Sequence, residues 1–238
     1  MKTAQTDVFG IAFQDYFLKK RFRAMLTVDT DIAETEKLPV SYFFRSFGEM
    51  PEIEQIALRR CCGRILDGGA GAGAHALWLQ DKGFSVTAID ISPGAVEVMK
   101  LRGVENAICS DLNSLAGEKF DTILLLMNGI GIAQHLKGLL KFVANAGKLL
   151  NPGGKILLDS TDISYLFKEN DGSMRINLSK MYCGEVDYAV SYKKHGTCTF
   201  KWLFVDYDTL AGIARKCNVK ISMIDAGLNG NYLAELLY

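Results

Sequence analysis

The run Asp67-Gly68-Gly69-Ala70-Gly71-Ala72-Gly73 sets a carboxylate ahead of closely spaced glycines, and it is where this chain has most scope for chemistry. The apolar stretch RILDGG (64–69) runs into it, and helix signals from Ala74 to Lys82 follow. Glycines at a strand-to-helix junction let backbone N–H groups approach a ligand closely at the helix N-terminus. Their spacing alone does not select the ligand, because Gly69, Gly71 and Ala74 also satisfy the dinucleotide pattern G-x-G-x-x-[GA]. Asp67 does discriminate. A carboxylate at that strand end repels a pyrophosphate and complements a ligand that carries an ammonium group and no phosphate.

Three further polar residues stand at the ends of strand-like stretches: Asp90 in TAIDIS, Asp111 after NAICS, and Asn128 after FDTILLLM. Together with Asp67, Gly69, Gly71 and Gly73 they resemble the class I S-adenosylmethionine-dependent methyltransferases, whose first motif is [DE]-x-G-x-G-x-G after a strand. The resemblance implies S-adenosylmethionine as cofactor, with Asp90 holding both ribose hydroxyls and Ile91 packed on the adenine ring. It further implies Asp111 near the adenine amino group, the Leu112 backbone at the ring edge, and Asn128 lining the methionine end. The ordered motifs cover about 63–160, and 208–238 looks like the family's sheet edge. The segments VSYFFRS, NGIG and DISPGAVEVMK look like those of a group of small bacterial methyltransferases. No catalytic residue is singled out by spacing; His135, Tyr42, Asp159 and Asp162 are the candidates for a base.

The elements that must position these residues alternate. Strand signals at 64–69, 84–90, 106–112, 120–128 and 155–160 are separated by helix signals at 74–82, 93–102 and about 133–150. Gly83 suits a left-handed helix cap; Ser92, Pro93 and Gly103 frame the next helix as cap, first position and stop. The turn NPGG (151–154) leads to the fifth strand. Asp208 is expected to cap a helix whose apolar residues are Leu210, Ile213, Ala214 and Cys217. The last two strands, 219–226 and 231–238, are joined only by GLNG, which allows a hairpin and not a parallel crossover. The expected fold is α/β, a doubly wound, Rossmann-like seven-stranded sheet, mostly parallel with an antiparallel C-terminal strand. N-terminal helices and a β-hairpin insertion are added to it.

A single domain over 1–238 is expected, with 63–160 and 208–238 as its cofactor-binding core. Residues 1–62 hold helix-like stretches at 7–20 and 49–60 around the aromatic VSYFFRSF (40–47). Residues 161–206 hold a hairpin, 185–193 and 199–206, turning at His195-Gly196, with Val186, Tyr188, Val190 and Tyr192 on one face. Both segments are placed as a cover over the mouth of the sheet. Trp202, Tyr182, Tyr188 and Tyr192 read mainly as the hairpin's core, His75 as a packed or surface residue, and Tyr42 and Arg45 as packing of the N-terminal segment.

Composition bounds the rest. The 238 residues carry 27 Lys+Arg against 27 Asp+Glu, so no global field draws the chain to nucleic acid or anionic membrane. The longest apolar stretch, 123–133, is too short to span a bilayer, and the N-terminus lacks a signal-peptide core. Six cysteines without a C-x-x-C pair signal neither zinc nor a disulfide framework, in keeping with a cytoplasmic protein. The sequence has no [DN]-P-P-[FYW] tetrad after strand four and no Pro-Cys dipeptide. The acceptor expected is therefore a small molecule, with nucleic acid disfavoured, no membrane partner, no metal and no oligomeric state readable. Two alternatives stay open: an NAD-dependent oxidoreductase, and a non-catalytic S-adenosylmethionine-binding protein.

Overall fold

A computed structural model of the chain describes residues 6–167 and 182–238. In chain order its elements are α1 (Val8–Phe17), β1 (Met25–Thr30), β2 (Glu36–Pro39), α2 (Glu52–Arg60), β3 (Ile65–Gly68) and α3 (Ala74–Asp81). There follow β4 (Val86–Asp90), α4 (Pro93–Arg102), β5 (Ala107–Cys109), β6 (Phe120–Leu125), α5 (Leu136–Ala146) and β7 (Leu150–Thr161). The chain closes with β8 (Glu185–Ser191), β9 (Thr197–Leu203), α6 (Tyr207–Lys216), β10 (Lys220–Ala226) and β11 (Asn231–Leu237). Seven strands form one sheet in the order β10-β11-β7-β6-β3-β4-β5, and β2-β1-β8-β9 form a second sheet of four. In the larger sheet β3, β4 and β5 run parallel, as do β6 and β7. Both β11 against β7 and β10 against β11 are antiparallel. The expected doubly wound sheet with an antiparallel final strand is therefore present, and β10, not the terminal strand, is at the edge.

The chain divides into two compact units. The first comprises Met1–Met50, Ile65–Leu115 and Asp187–Phe200. Its core joins Val8, Ala12 and Phe13 of α1, Leu26 and Val28 of β1, Val190, Tyr192 and Cys198 around the second sheet, and Ala72, Ala95 and Val98 from the glycine turn and α4. The second comprises Pro51–Arg64, Ala116–Val186 and Lys201–Tyr238. There Leu210, Ile213 and Ala214 form the buried face of α6, as their i, i+3, i+4 spacing requires, with Cys217 only half-buried.

Several boundaries differ from the sequence reading for local reasons. The first helix stops at Phe17, short of 20, because Lys20 adopts a left-handed φ of 52°. Strands β1 and β2 were not expected: Leu26 and Val28 alternate over only six residues, and the strand that completes their sheet, β8, is remote in sequence. The helix expected from Ala133 starts at Leu136, because Gln134 has φ 66° and separates it from a 3-10 turn over Gly129–Ala133. Rather than ending in a separate turn, NPGG lies inside β7. The β6–β7 register jumps from Phe120↔Leu150 to Thr122↔Lys155 around it, and Gly153 supplies φ 76°. The α6 cap is Asp206, whose side chain accepts from the Thr209 N–H at 2.8 Å, and not Asp208. The part of the expected insertion at 168–181 lies outside the described residues.

Candidate functional site

The glycine turn, Asp90 and Asp111 all belong to the first unit. As β3 ends, the Gly69 and Ala70 N–H groups both donate to the Ile89 carbonyl at 2.9 Å, which ties the turn to the neighbouring strand. The Gly71 N–H donates to Asp90 Oδ2 at 2.9 Å. Glycine is needed at Gly73 on two grounds. Its φ is 80°, and a Cβ there would lie 2.8 Å from Val104 Cγ2 and 3.0 Å from Met99 Cγ. At Gly71 the requirement is the φ of 57° alone, since a Cβ would meet nothing nearer than Phe43 at 3.7 Å.

Asp67 is 2% exposed, and its Oδ2 has no hydrogen-bond partner among the described residues. Burial pushes its pKa upward, against the opposing pull of His75 and the Ala76 N–H. A buried, unsatisfied carboxylate oxygen is costly unless a donor or cation completes it. Asp90 ends β4 with both oxygens anchored, Oδ2 by Gly71 and Oδ1 by the Ser92 N–H at 2.9 Å. Its carboxyl is pushed up to about 6, chiefly by burial and further by the charges of Asp7 and Asp67. Next to it Ile91 is an apolar side chain left 75% exposed. The register Asp90↔Cys109 brings the end of β5 alongside, and the Cys109 thiol reaches the Ile91 carbonyl at 3.7 Å. The strand ends there, so Asp111 and Leu112 stand beyond it and not on it, contrary to the expected strand over 106–112. Asp111 Oδ1 caps the short turn by accepting from the Asn113 N–H at 2.8 Å, while Leu112 is buried.

One acid in this region was not anticipated. Asp7 caps α1 through the Gly10 N–H at 2.9 Å, and the same carboxylate accepts from Ser92 Oγ at 2.7 Å and the Gly94 N–H at 2.9 Å. It therefore clamps the start of α1 to the start of α4 through Ser92, the residue whose N–H also holds Asp90. An Asp three residues before a glycine signals a cap; nothing local signals its second helix. Tyr42, a candidate base, lies under the Arg45 guanidinium at 3.6 Å. Tyr192 is buried and donates to Asp15 at 2.9 Å, and Tyr188 stacks on Phe200 at 5.4 Å. Tyr192 belongs to the core and Tyr188 packs against it, as read from the sequence, and His75 is packed at 6% exposure.

Asn128 belongs to the second unit. Met127 and Asn128 are both left-handed, with φ 63° and 54°. The Asn128 N–H donates to Asp159 Oδ1 at 2.8 Å, and its side-chain oxygen accepts from Thr161 Oγ1 at 2.8 Å. Asp159 is 2% exposed and so fixes this bend from below. The other candidate bases have local duties. His135 Nδ1 accepts from the Gly138 N–H at 2.8 Å as the cap of α5, and Asp162 accepts from the Ser164 N–H at 2.8 Å. Tyr182 donates to Asp206 at 2.5 Å, while the Trp202 indole lies so near Gly131 that a Cβ there would overlap its Nε1.

Comparison with known proteins bears on the same residues. Residues 66–158 match a family model described as a methyltransferase domain. A SAM-dependent methyltransferase from Bacteroides fragilis, solved in complex with S-adenosyl-L-homocysteine, superposes with a TM-score of 0.90 at 41% identity, over 98% of this chain and 95% of that one. This chain belongs to the S-adenosylmethionine-dependent methyltransferases. For a methyltransferase of this kind the unsatisfied Asp67 oxygen, the left-handed glycines and the anchored Asp90 fit a cofactor with one ammonium, two ribose hydroxyls and no phosphate. Curated methyltransferases named ubiquinone biosynthesis O-methyltransferase match in part. The one from Xanthomonas oryzae is 30% identical over 105 residues, 41% of this chain and 42% of its own length. That from Methylocella silvestris is 35% identical over 98 residues, 38% and 37% respectively. The chain thus spans about two-fifths of the curated relatives it matches. Among more distant methyltransferases, CalS10 from Micromonospora echinaspora superposes with a TM-score of 0.54 at 16% identity, a likeness of fold alone. No group of His, Cys, Asp and Glu able to hold a metal ion occurs among the described residues, and no helix there is long and apolar enough to cross a membrane.

Proposed function

We propose that the chain transfers the methyl group of S-adenosylmethionine to a small-molecule acceptor. The observation that carries this reading is the buried Asp67 oxygen that has no partner among the described residues, beside the glycine turn. It suits an ammonium group and disfavours the pyrophosphate of a dinucleotide. When bound, the cofactor supplies a methyl group that its sulfonium already activates. Asp67 holds the ammonium end. The turn over Gly69, Gly71 and Gly73 brings the backbone close. Asp90, kept rigid by Gly71 and Ser92, accepts from paired hydroxyls, Ile91 covers the base, and the Leu112 backbone stands at the ring edge with Asp111 at the amino group. Asn128, held by Asp159 and Thr161, is assigned to the methionine end. The protein's work is then to align the acceptor and exclude water, so no elaborate catalyst is required.

The aromatic residues of the first unit support a cover over this site. Phe43 lies against Gly71, and Phe9, Phe13, Phe44, Tyr188 and Phe200 pack with it in one cluster. The balanced charge of the chain and relatives named for ubiquinone biosynthesis support a small-molecule acceptor. Similarity over two-fifths of a chain supports the cofactor class and does not carry an acceptor with it. Six free cysteines support a reducing, cytoplasmic setting.

Titration calorimetry with S-adenosylhomocysteine and with NADH tests the cofactor, and labelled S-adenosylmethionine with a metabolite extract tests the reaction. Binding of the first ligand alone, with label transferred to an extractable product, is expected. Binding of NADH alone overturns the reading, and cofactor binding without transfer to any acceptor reduces it to a binding protein.

A further inference from the structure

Beyond α1 the chain gathers positive charge that its overall composition does not reveal. Lys+Arg and Asp+Glu are equal in number, yet Lys19, Lys20, Arg21 and Arg23 fall within one short turn. An open surface depression of about 520 Å³ is present here, lined by Lys20, Arg21, Phe22, Arg23, Ala24 and Lys193, all within the first unit. Beneath it Asp15, 1% exposed, accepts from Lys19 at 2.8 Å, Arg21 at 2.9 Å and Lys193 at 2.7 Å. One buried negative charge shared by three cations fixes their positions and leaves the rim positive. Lys20 and Arg23 add to that surplus, and neither pairs with a carboxylate among the described residues. Lys20 and Lys193 both hold left-handed backbones, with φ 52° and 50°, in connections between secondary-structure elements. Within this ring of cations Phe22 is 62% exposed, its ring edge against Tyr16.

We propose that this depression is a second ligand site, taking the phosphate group of an anionic ligand whose adjoining apolar part lies on Phe22. Two guanidinium forks and two ammonium groups suit an oxyanion with three or four acceptor oxygens better than a single carboxylate. The phosphate can belong to a free phosphorylated molecule or to a phospholipid headgroup, and the chemistry of the site is the same for both. The inference does not depend on the methyl-transfer reading.

The test uses the full chain, with calorimetric titration of inorganic pyrophosphate and flotation with vesicles of phosphatidylglycerol or phosphatidylcholine. Pyrophosphate binding without vesicle flotation identifies a free phosphate ligand, and preferential flotation with phosphatidylglycerol identifies a lipid headgroup. In either case binding should weaken about tenfold or more between low and moderate salt. It should be lost in Lys20→Glu/Arg23→Glu, which spares the cations held by Asp15, with S-adenosylhomocysteine affinity and melting temperature retained. If that variant melts early, Lys20→Gln/Arg23→Gln must show the same loss. The proposal is overturned if neither probe binds above chloride or phosphatidylcholine controls, or if the folded variant binds like the wild type.

Discussion

The Gly71 N–H donates to Asp90 Oδ2 at 2.9 Å, so the glycine turn after β3 and the acid that ends β4 are one structural unit. A left-handed glycine is what lets that N–H face sideways to the next strand, and the bond leaves Asp90 in one orientation. Four expectations follow from this arrangement and its surroundings.

Asp67→Asn should weaken S-adenosylhomocysteine binding by about 1.5–3 kcal/mol, roughly ten- to a hundredfold, because the charge that complements the ammonium is lost. Unliganded stability should hold or rise, since a buried charge no longer pays for its desolvation. Calorimetry and thermal melting separate the two, and unchanged affinity would remove Asp67 from the site.

The elevated Asp90 pKa, about 6 against an ordinary value of 3.8, predicts two trends of opposite sign. Between these values the folded state binds more protons than the unfolded one, so Asp90's contribution to stability falls as pH rises through this window. Cofactor affinity runs the other way, because the ionised carboxylate is the better acceptor of paired hydroxyls, and should fall as pH drops through about 6. Asp67, also displaced upward, adds in the same sense. Titrations from pH 5 to 8 should show this slope in the wild type (~one pH unit either side of the midpoint) and a flatter one in Asp90→Asn.

Ile91→Ala isolates binding from folding. At 75% exposure its truncation should change stability by under about 0.5 kcal/mol. It should weaken S-adenosylhomocysteine by about 1 kcal/mol, roughly fivefold, for the apolar contact removed. Equal affinities would place the adenine elsewhere.

Gly94→Ala should destabilise the protein although alanine is the better helix former. A Cβ there would fall 2.7 Å from Gly10 Cα and 3.1 Å from Asp7 Oδ2, where α1 and α4 meet. Overpacking of that contact costs about 1–3 kcal/mol, more than the propensity gain of about 1 kcal/mol. A raised denaturation midpoint would show that the two helices do not cross this closely.

The local chain dictated a good deal. Asp67, three spaced glycines and Asp90 gave strand, turn, helix and the class of ligand, because glycine conformation and strand-end position are fixed by neighbours in sequence. Ser92, Pro93 and Gly103 marked α4, and they stand where expected, as cap, first residue and stop. Tertiary structure decided what those signals omit. Asp7 holds two helices because α1 folds back on α4, and β1 and β2 become strands because β8 arrives from far along the chain. Asp15, close in sequence to Lys19 and Arg21, gains Lys193 for the same reason. His135 and Asp162, eligible as bases by residue type, become caps once their neighbours' N–H groups claim their acceptor atoms. Sequence fixes what a residue can donate, accept or strain; only the folded chain fixes which partner satisfies it, because that partner is brought in from elsewhere.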